Sequence, residues 1–389
     1  MRDAFPRPRL VAGTDSDVEK LIGRLLELAP RGLPQMQVDG EFVFTLRGES
    51  DGEGGWRTVP VGRSLRYAAI TALGVQLMPE TEQRPVLGGD TVDDLVGRMV
   101  DRLAATGERA VTSLGDVALI CWAAAAASHD GLPQALERLA SADPADGGPV
   151  FTVDAAWVVS ALATARTAAG SPEVEAHFER ARRRLLDGVR EGALFSHEVG
   201  GTGLVPGYRA HVGCFADQVY PIQALARAGD DEALTVADAA AARICDAQGE
   251  GGQWWWHYDA RTGGVVEGFP VYSVHQHAMA PMALLDLADA GGTRHVDAIR
   301  RGLRWMTDPA ETDVPMILDE LGVTWRKVAR QDPKKAMRGI RAMTTRMRPD
   351  WRLTSLDRVF PPVAIDRECR PYELGWLLFT WLGSPTGEK

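Results

Sequence analysis

Six segments of this chain are apolar around almost their whole circumference, and helices of that kind have to be buried on every side. They are SLRYAAITALGV from Ser64, SLGDVALICWAAAAA from Ser113, FTVDAAWVVSALATA from Phe151, FADQVYPIQALARAG from Phe215, VYSVHQHAMAPMALLDLADA from Val271 and YELGWLLFTWLG from Tyr372. Each begins with a small or polar turn and places a polar or ionisable residue in its first turn. Six other segments have one apolar stripe and a charged outer face. They are VEKLIGRLLELAP, TVDDLVGRMVDRLAATG, LPQALERLAS, PEVEAHFERARRRLLDGVREG, DEALTVADAAAARICDAQG and TRHVDAIRRGLRWM. The two kinds alternate. That pattern predicts an all-α fold, an (α/α)6 toroid of alternating inner and outer helices in one domain over residues 1–389; the alternative is an irregular two-layer helical domain.

The repeats are unevenly spaced, so extra material belongs in loops. Residues 36–60 carry the alternation Phe42, Phe44, Leu46 and the turn-rich run GESDGEGG, which predicts a small β-hairpin near the N-terminus. Residues 194–214 form a Gly-rich loop that holds His197 and His211. Residues 324–353 form a basic segment, expected to be helical with an exposed cationic face, in which ten Lys or Arg face two Asp.

The whole chain has 43 Lys and Arg against 53 Asp and Glu, a net charge of −10. Nucleic acid is therefore not an expected partner of the chain as a body. The basic segment remains suited to an anionic polymer, a phosphate group or a membrane surface. With no secretory leader and no apolar run near the roughly 18 residues of a membrane span, a cytoplasmic location is expected. Cys121, Cys214, Cys245 and Cys369 are far apart, which disfavours a zinc ribbon or a disulfide scaffold. Neither metal nor cofactor is expected. Walker, GxSxG, HExxH and dinucleotide motifs are absent, and DTVDDL from Asp90 reads as a solvated helix start.

In a helical ring the first turns of the inner helices converge although they are remote in sequence. The expected catalytic groups are Asp154, Asp217, Tyr272, His275 and Glu373, with Asp116 among the other first-turn acids. The expected substrate-binding groups are Arg66, Tyr67, Arg209, Glu267 and Gln276 together with Trp254, Trp255, Trp256, His257 and Tyr258. Three consecutive tryptophans in extended chain cannot all face one core. Flat indoles suit sugar C–H faces or an isoprenoid equally. A neutral histidine beside a tyrosine can move a proton near neutral pH, which makes His275 the leading proton-transfer residue. Paired carboxylates could instead cleave a glycosidic bond.

The six-hairpin pattern and the GGQWWWHYD loop resemble the (α/α)6 toroid carbohydrate-active proteins, which include glycoside hydrolases, polysaccharide lyases and sugar epimerases. FADQVYPIQAL, QWWWHYD and RPYELGW are similar to segments of a bacterial group that carries no stated activity. The resemblance implies an enzyme acting on a glycan or glycoconjugate in a central cleft, as hydrolase, lyase or epimerase. Two other readings remain: an isoprenoid-handling, terpene cyclase-like toroid, and a non-catalytic binding or scaffold protein in polysaccharide biosynthesis.

Overall fold

A computed structural model of the chain describes residues 6–333 and 336–383. Its helices are α1 Pro6–Ala12, α2 Ser16–Gly32, α3 Leu65–Val75, α4 Glu80–Val86, α5 Val92–Leu103, α6 Leu114–Ala126, α7 Leu132–Ala142, α8 Thr152–Ala169, α9 Pro172–Leu186, α10 Ala216–Ala228, α11 Asp231–Asp246, α12 Ala280–Asp289, α13 Val296–Trp305, α14 Ala336–Met347 and α15 Pro371–Leu382. No helix among the described residues is long and apolar enough to cross a membrane.

The all-apolar segments became α3, α6, α8, α10, α12 and α15. Each packs on the next, and α15 packs back on α3, so the six close a cycle. The amphipathic segments became α2, α5, α7, α9, α11 and α13, each laid against one or two of the inner six. Helix α5 shows the division of labour. Val92, Leu95, Val96, Met99, Val100 and Leu103 are buried along one stripe, and Thr91 with Asp94 forms a capping box at its start. DTVDDL is thus the opening of an outer helix.

Closure of the cycle depends on two glycines. A Cβ on Gly74 of α3 would collide with the Gly375 carbonyl oxygen of α15, and one on Gly375 would meet the Ile70 carbonyl oxygen and Thr71 Cα at 2.9 Å. Backbone lies against backbone here, so nothing can yield by a rotamer change. Gly74→Ala is expected to destabilise the fold by about 3 kcal/mol, the upper range for overpacking, read as a lower denaturation midpoint. An unchanged midpoint would mean that the seam is loose.

Short antiparallel strands sit over the helix starts. Thr45–Ser50 pairs with Trp56–Val61 in the expected hairpin, and Glu368–Cys369 adds a third strand. A second tight pair joins Gln37–Val38 to Glu41–Phe42. The Gly-rich loop is more ordered than its composition suggests, because Glu198–Val199 pairs with Val150–Phe151 and Val212–Cys214 pairs with His257–Asp259. The basic segment is only partly helical. Lys327–Ala329 is a strand between Val271–Tyr272 and Ala364–Asp366, and Ala336–Met347 is the α-helix among its described residues. Its side chains also divide. Arg330 and Arg341 are buried against Glu267, so a uniformly exposed cationic face is not what forms. Lys334 and Lys335 lie outside the described residues.

Candidate active site

Side chains from the helix starts line two adjoining cavities that share Arg66 and Val153. One, of about 220 Å³, is walled by Arg66, Tyr67, Trp157, Trp256, Tyr272, His275, Arg326 and Tyr372 among others. The other, of about 530 Å³, is lined by Arg66, Asp154, His197, Arg209, Cys214 and Asp217 with their neighbours.

Arg66 stands between them. Its Nε donates to Asp116 at 2.7 Å, its Nη2 donates to Ser113 Oγ at 3.0 Å, and its guanidinium lies 5.1 Å from the Trp157 ring centre. Asp154 begins α8 and leans onto Gly115 at the start of α6, where a Cβ would collide with its carboxylate. Burial, then the nearby Asp116 and Asp217 carboxylates, push Asp154 up to about 6 against the opposing pull of Arg66. About half of this carboxyl therefore carries a proton near pH 6, and about a tenth at pH 7.

Asp217 is held differently. Its Oδ2 accepts from the Cys214 N–H at 2.7 Å and lies 2.6 Å from His197 Nδ1. Arg209 Nη2 is 3.0 Å from His197 Nε2. An arginine can only donate, so Nε2 accepts and Nδ1 carries the hydrogen given to Asp217. His197, Cys214 and Asp217 are close enough to hold a metal ion, but both imidazole nitrogens are already engaged.

In the smaller cavity Tyr272 and His275 have ring centres 4.8 Å apart, and Trp256 stacks nearly parallel to His275 at 6.0 Å. Tyr272 ends a short strand rather than opening a helix, and the chain then makes one wide π turn, His275–Met279, before α12. Such turns often sit at functional sites. The turn puts His275 on the cavity wall, while His277 is fully buried with its carbonyl accepting from Trp381 Nε1. Burial, then Arg326 and His277, hold His275 well below the usual histidine range. It is neutral.

Seven of the expected site residues lie off both cavity walls. Trp254 and Tyr258 are in the core, with Trp254 against Phe215, and Trp255 packs edge-on to Phe269. His257 is buried with its ring against His197. Gln276 is buried and donates to the Tyr272 carbonyl. Glu267 is spent on Arg330, Arg341 and the Phe269 N–H. Glu373 is fully buried just behind the smaller cavity, with Oε1 3.7 Å from Arg326 Nε. Burial pushes it up to about 8 against Arg326 and Arg370.

Trp157, Arg326 and His197 are among the wall residues that the sequence reading did not assign to the site. Trp157 read as core, although its i+3 spacing from Asp154 puts both on one helical face. Arg326 was counted in a solvent-facing basic run, whereas it stands over the Tyr272 ring at 5.0 Å. His197 was noted only as part of a loop.

No family model matches the chain, and no curated protein matches it. Solved structures do. The chain is similar to an unsaturated glucuronyl hydrolase specific for heparin, at 12% identity and a TM-score of 0.61 over 93% of this chain and 96% of that one. It is similar to a sugar epimerase from a ruminal bacterium, at 11% identity and a TM-score of 0.59 over 93% and 98%. It is also similar to the unsaturated glucuronyl hydrolase of Bacillus sp. GL1, at 15% identity and a TM-score of 0.56 over 94% and 96%. The resemblance to (α/α)6 toroid carbohydrate-active proteins therefore holds at the level of the fold.

Proposed function

We propose that this chain is a single-domain (α/α)6 toroid working as a carbohydrate-active enzyme on a glycan or glycoconjugate, with Asp154 as the proton donor of a hydrolytic reaction. The observation that carries this reading is the raised carboxyl of Asp154, at about 6, facing a cavity beside the hydrogen-bonded carboxylate of Asp217. Two carboxyl groups in contrasting surroundings provide an acid and a base or nucleophile from one residue type. Trp157, Trp256 and Tyr372 offer flat faces for a sugar ring, and Arg66 and Arg209 supply donors for its oxygens. The guanidiniums and tyrosines of the smaller cavity, and the carbohydrate enzymes among the similar structures, give the isoprenoid alternative no support.

A second reading rests on His275. A neutral imidazole on the wall beside Tyr272 is a suitable base for removing a ring proton, as epimerisation or elimination requires. Isotopes separate the routes. Neutral and acidic oligosaccharides are incubated with the protein in heavy-oxygen water, and in parallel in deuterium oxide, with products read by mass spectrometry. Hydrolysis leaves one solvent oxygen per cleaved bond, which is the expected result. Carbon-bound deuterium without cleavage, or an unsaturated product without solvent oxygen, would move the chemistry to His275. No product from any glycan would favour a binding protein.

The three tryptophans should separate in the same assay. Trp256→Ala is expected to raise KM about tenfold while leaving the melting temperature nearly unchanged. Trp254→Ala removes a fully buried side chain and is expected to cost about 3–5 kcal/mol of stability. Equal effects of the two on stability would mean that Trp256 is a packing residue.

A further inference from the structure

The mechanism makes no use of the outer face of α14. That helix is amphipathic in an unusual sense, because both of its faces carry apolar and cationic groups. Its inner face is tied to the site wall: the Arg338 guanidinium lies 5.3 Å from the Trp256 ring centre, Arg341 Nη1 is 3.1 Å from Glu267, and Thr345 Oγ1 is 3.0 Å from His211 Nε2. Its outer face exposes Ile340 (36%), Met343 (55%) and Met347 (78%). These are spaced i, i+3, i+7 and so form one stripe. The chain turns once beyond the helix, with Arg348 N–H on the Thr344 carbonyl and Trp351 N–H on the Arg348 carbonyl, and presents Trp351, itself 44% exposed.

Arg346 and Arg348 are exposed beside that stripe, and Arg352 and Arg358 are exposed in the loop that follows it. Among the described residues none of the four has a carboxylate partner, in a chain whose net charge is −10. Arginines without a carboxylate partner that stand next to an exposed apolar stripe are free to meet a ligand outside the chain. An anionic polymer would meet the arginines but would have no use for two exposed methionines, an isoleucine and a tryptophan. A bilayer surface takes both: aliphatic side chains and an indole enter the headgroup boundary while arginines stay with anionic headgroups.

We propose that the outer face of α14, with Trp351 and the flanking arginines, docks the protein onto an anionic lipid membrane surface. The chain lies on the bilayer and does not span it. Because the inner face of the same helix holds Trp256 and Glu267, docking brings the cleft to the membrane. The proposal does not depend on which reaction the cleft performs.

The test is sedimentation of the full chain with phosphatidylcholine vesicles containing phosphatidylglycerol, against phosphatidylcholine alone and against heparin. Binding only to the anionic vesicles is expected, falling as salt rises. Met343→Ser with Met347→Ser, and separately Arg346→Gln with Arg348→Gln, should each weaken it about tenfold. All four positions are exposed, so unchanged melting temperatures are expected for both variants. No binding to anionic vesicles overturns the proposal. So does binding to heparin or vesicles that the methionine changes leave intact, since that pattern belongs to a polyanion site.

Discussion

Asp154→Asn is expected to fold as the wild type does and to lose about 10²–10⁴-fold in kcat/KM, the range for a positioned proton donor. Asparagine keeps the size and the approach to Gly115 but cannot release a proton. The pH dependence carries more information than the loss. Burial and two neighbouring carboxylates raise Asp154 to about 6, so the proton-bearing form is depleted as pH rises through that value. Wild-type kcat/KM should therefore fall on the alkaline side of about pH 6, by tenfold per unit once the acid is mostly ionised. Residual activity in the asparagine variant should lack that limb. Wild-type turnover by Asp154→Asn, or an identical limb in both proteins, would remove Asp154 from the chemistry.

Glu373→Gln should change stability more than activity. The carboxyl is fully buried, neither oxygen has a hydrogen-bond partner, and burial lifts it from an ordinary 4.5 to about 8. A carboxyl raised in the folded state stabilises most below its unfolded value, and that contribution is lost as pH rises towards the folded value. At 1.36 kcal/mol per unit, the wild type should lose about 3 kcal/mol from this group between about pH 5 and pH 8. Glutamine never ionises, so the variant should lack this part of the slope. The remaining slope, to which Asp154 contributes with the same sign, should appear in both proteins. Urea denaturation at several pH values measures it. Equal slopes would mean that Glu373 is solvated or ionised in the fold. A large fall in turnover with unchanged stability would place Glu373 in contact with substrate.

The helices were legible because burial writes itself into periodicity. Beyond Asp116 in its first turn, SLGDVALICWAAAAA is apolar all round and leaves no exposed face, and the stripe from Val92 to Leu103 leaves only one. Alternation of the two kinds was enough to anticipate which helices would be inner and which outer. The site was legible only by position. First turns meet, so Asp154, Asp217, Arg66 and Tyr67 could be named, but sequence carries no depth. Glu373 and Asp154 look alike as first-turn acids, yet one is sealed behind Arg326 and the other faces a cavity. Arg326 was missed for a related reason. A strand pairing between Lys327 and Tyr272, 55 positions away in sequence, turns a basic run into a cavity wall, and no local pattern records such a pairing. Trp254, Trp255 and Trp256 show the same limit: extended chain required them to part, but not which would reach the cavity.

The proton on Asp154 can be observed without knowing the substrate. Carboxyl carbon chemical shifts of aspartate-labelled protein are followed by NMR from about pH 3 to pH 8, and the Asp154 signal is assigned by its absence in Asp154→Asn. The expected result is a single titration centred near 6, the state required of an acid that works close to neutral pH. A signal that titrates near 4, as an ordinary solvated aspartate does, would contradict the role assigned to this residue.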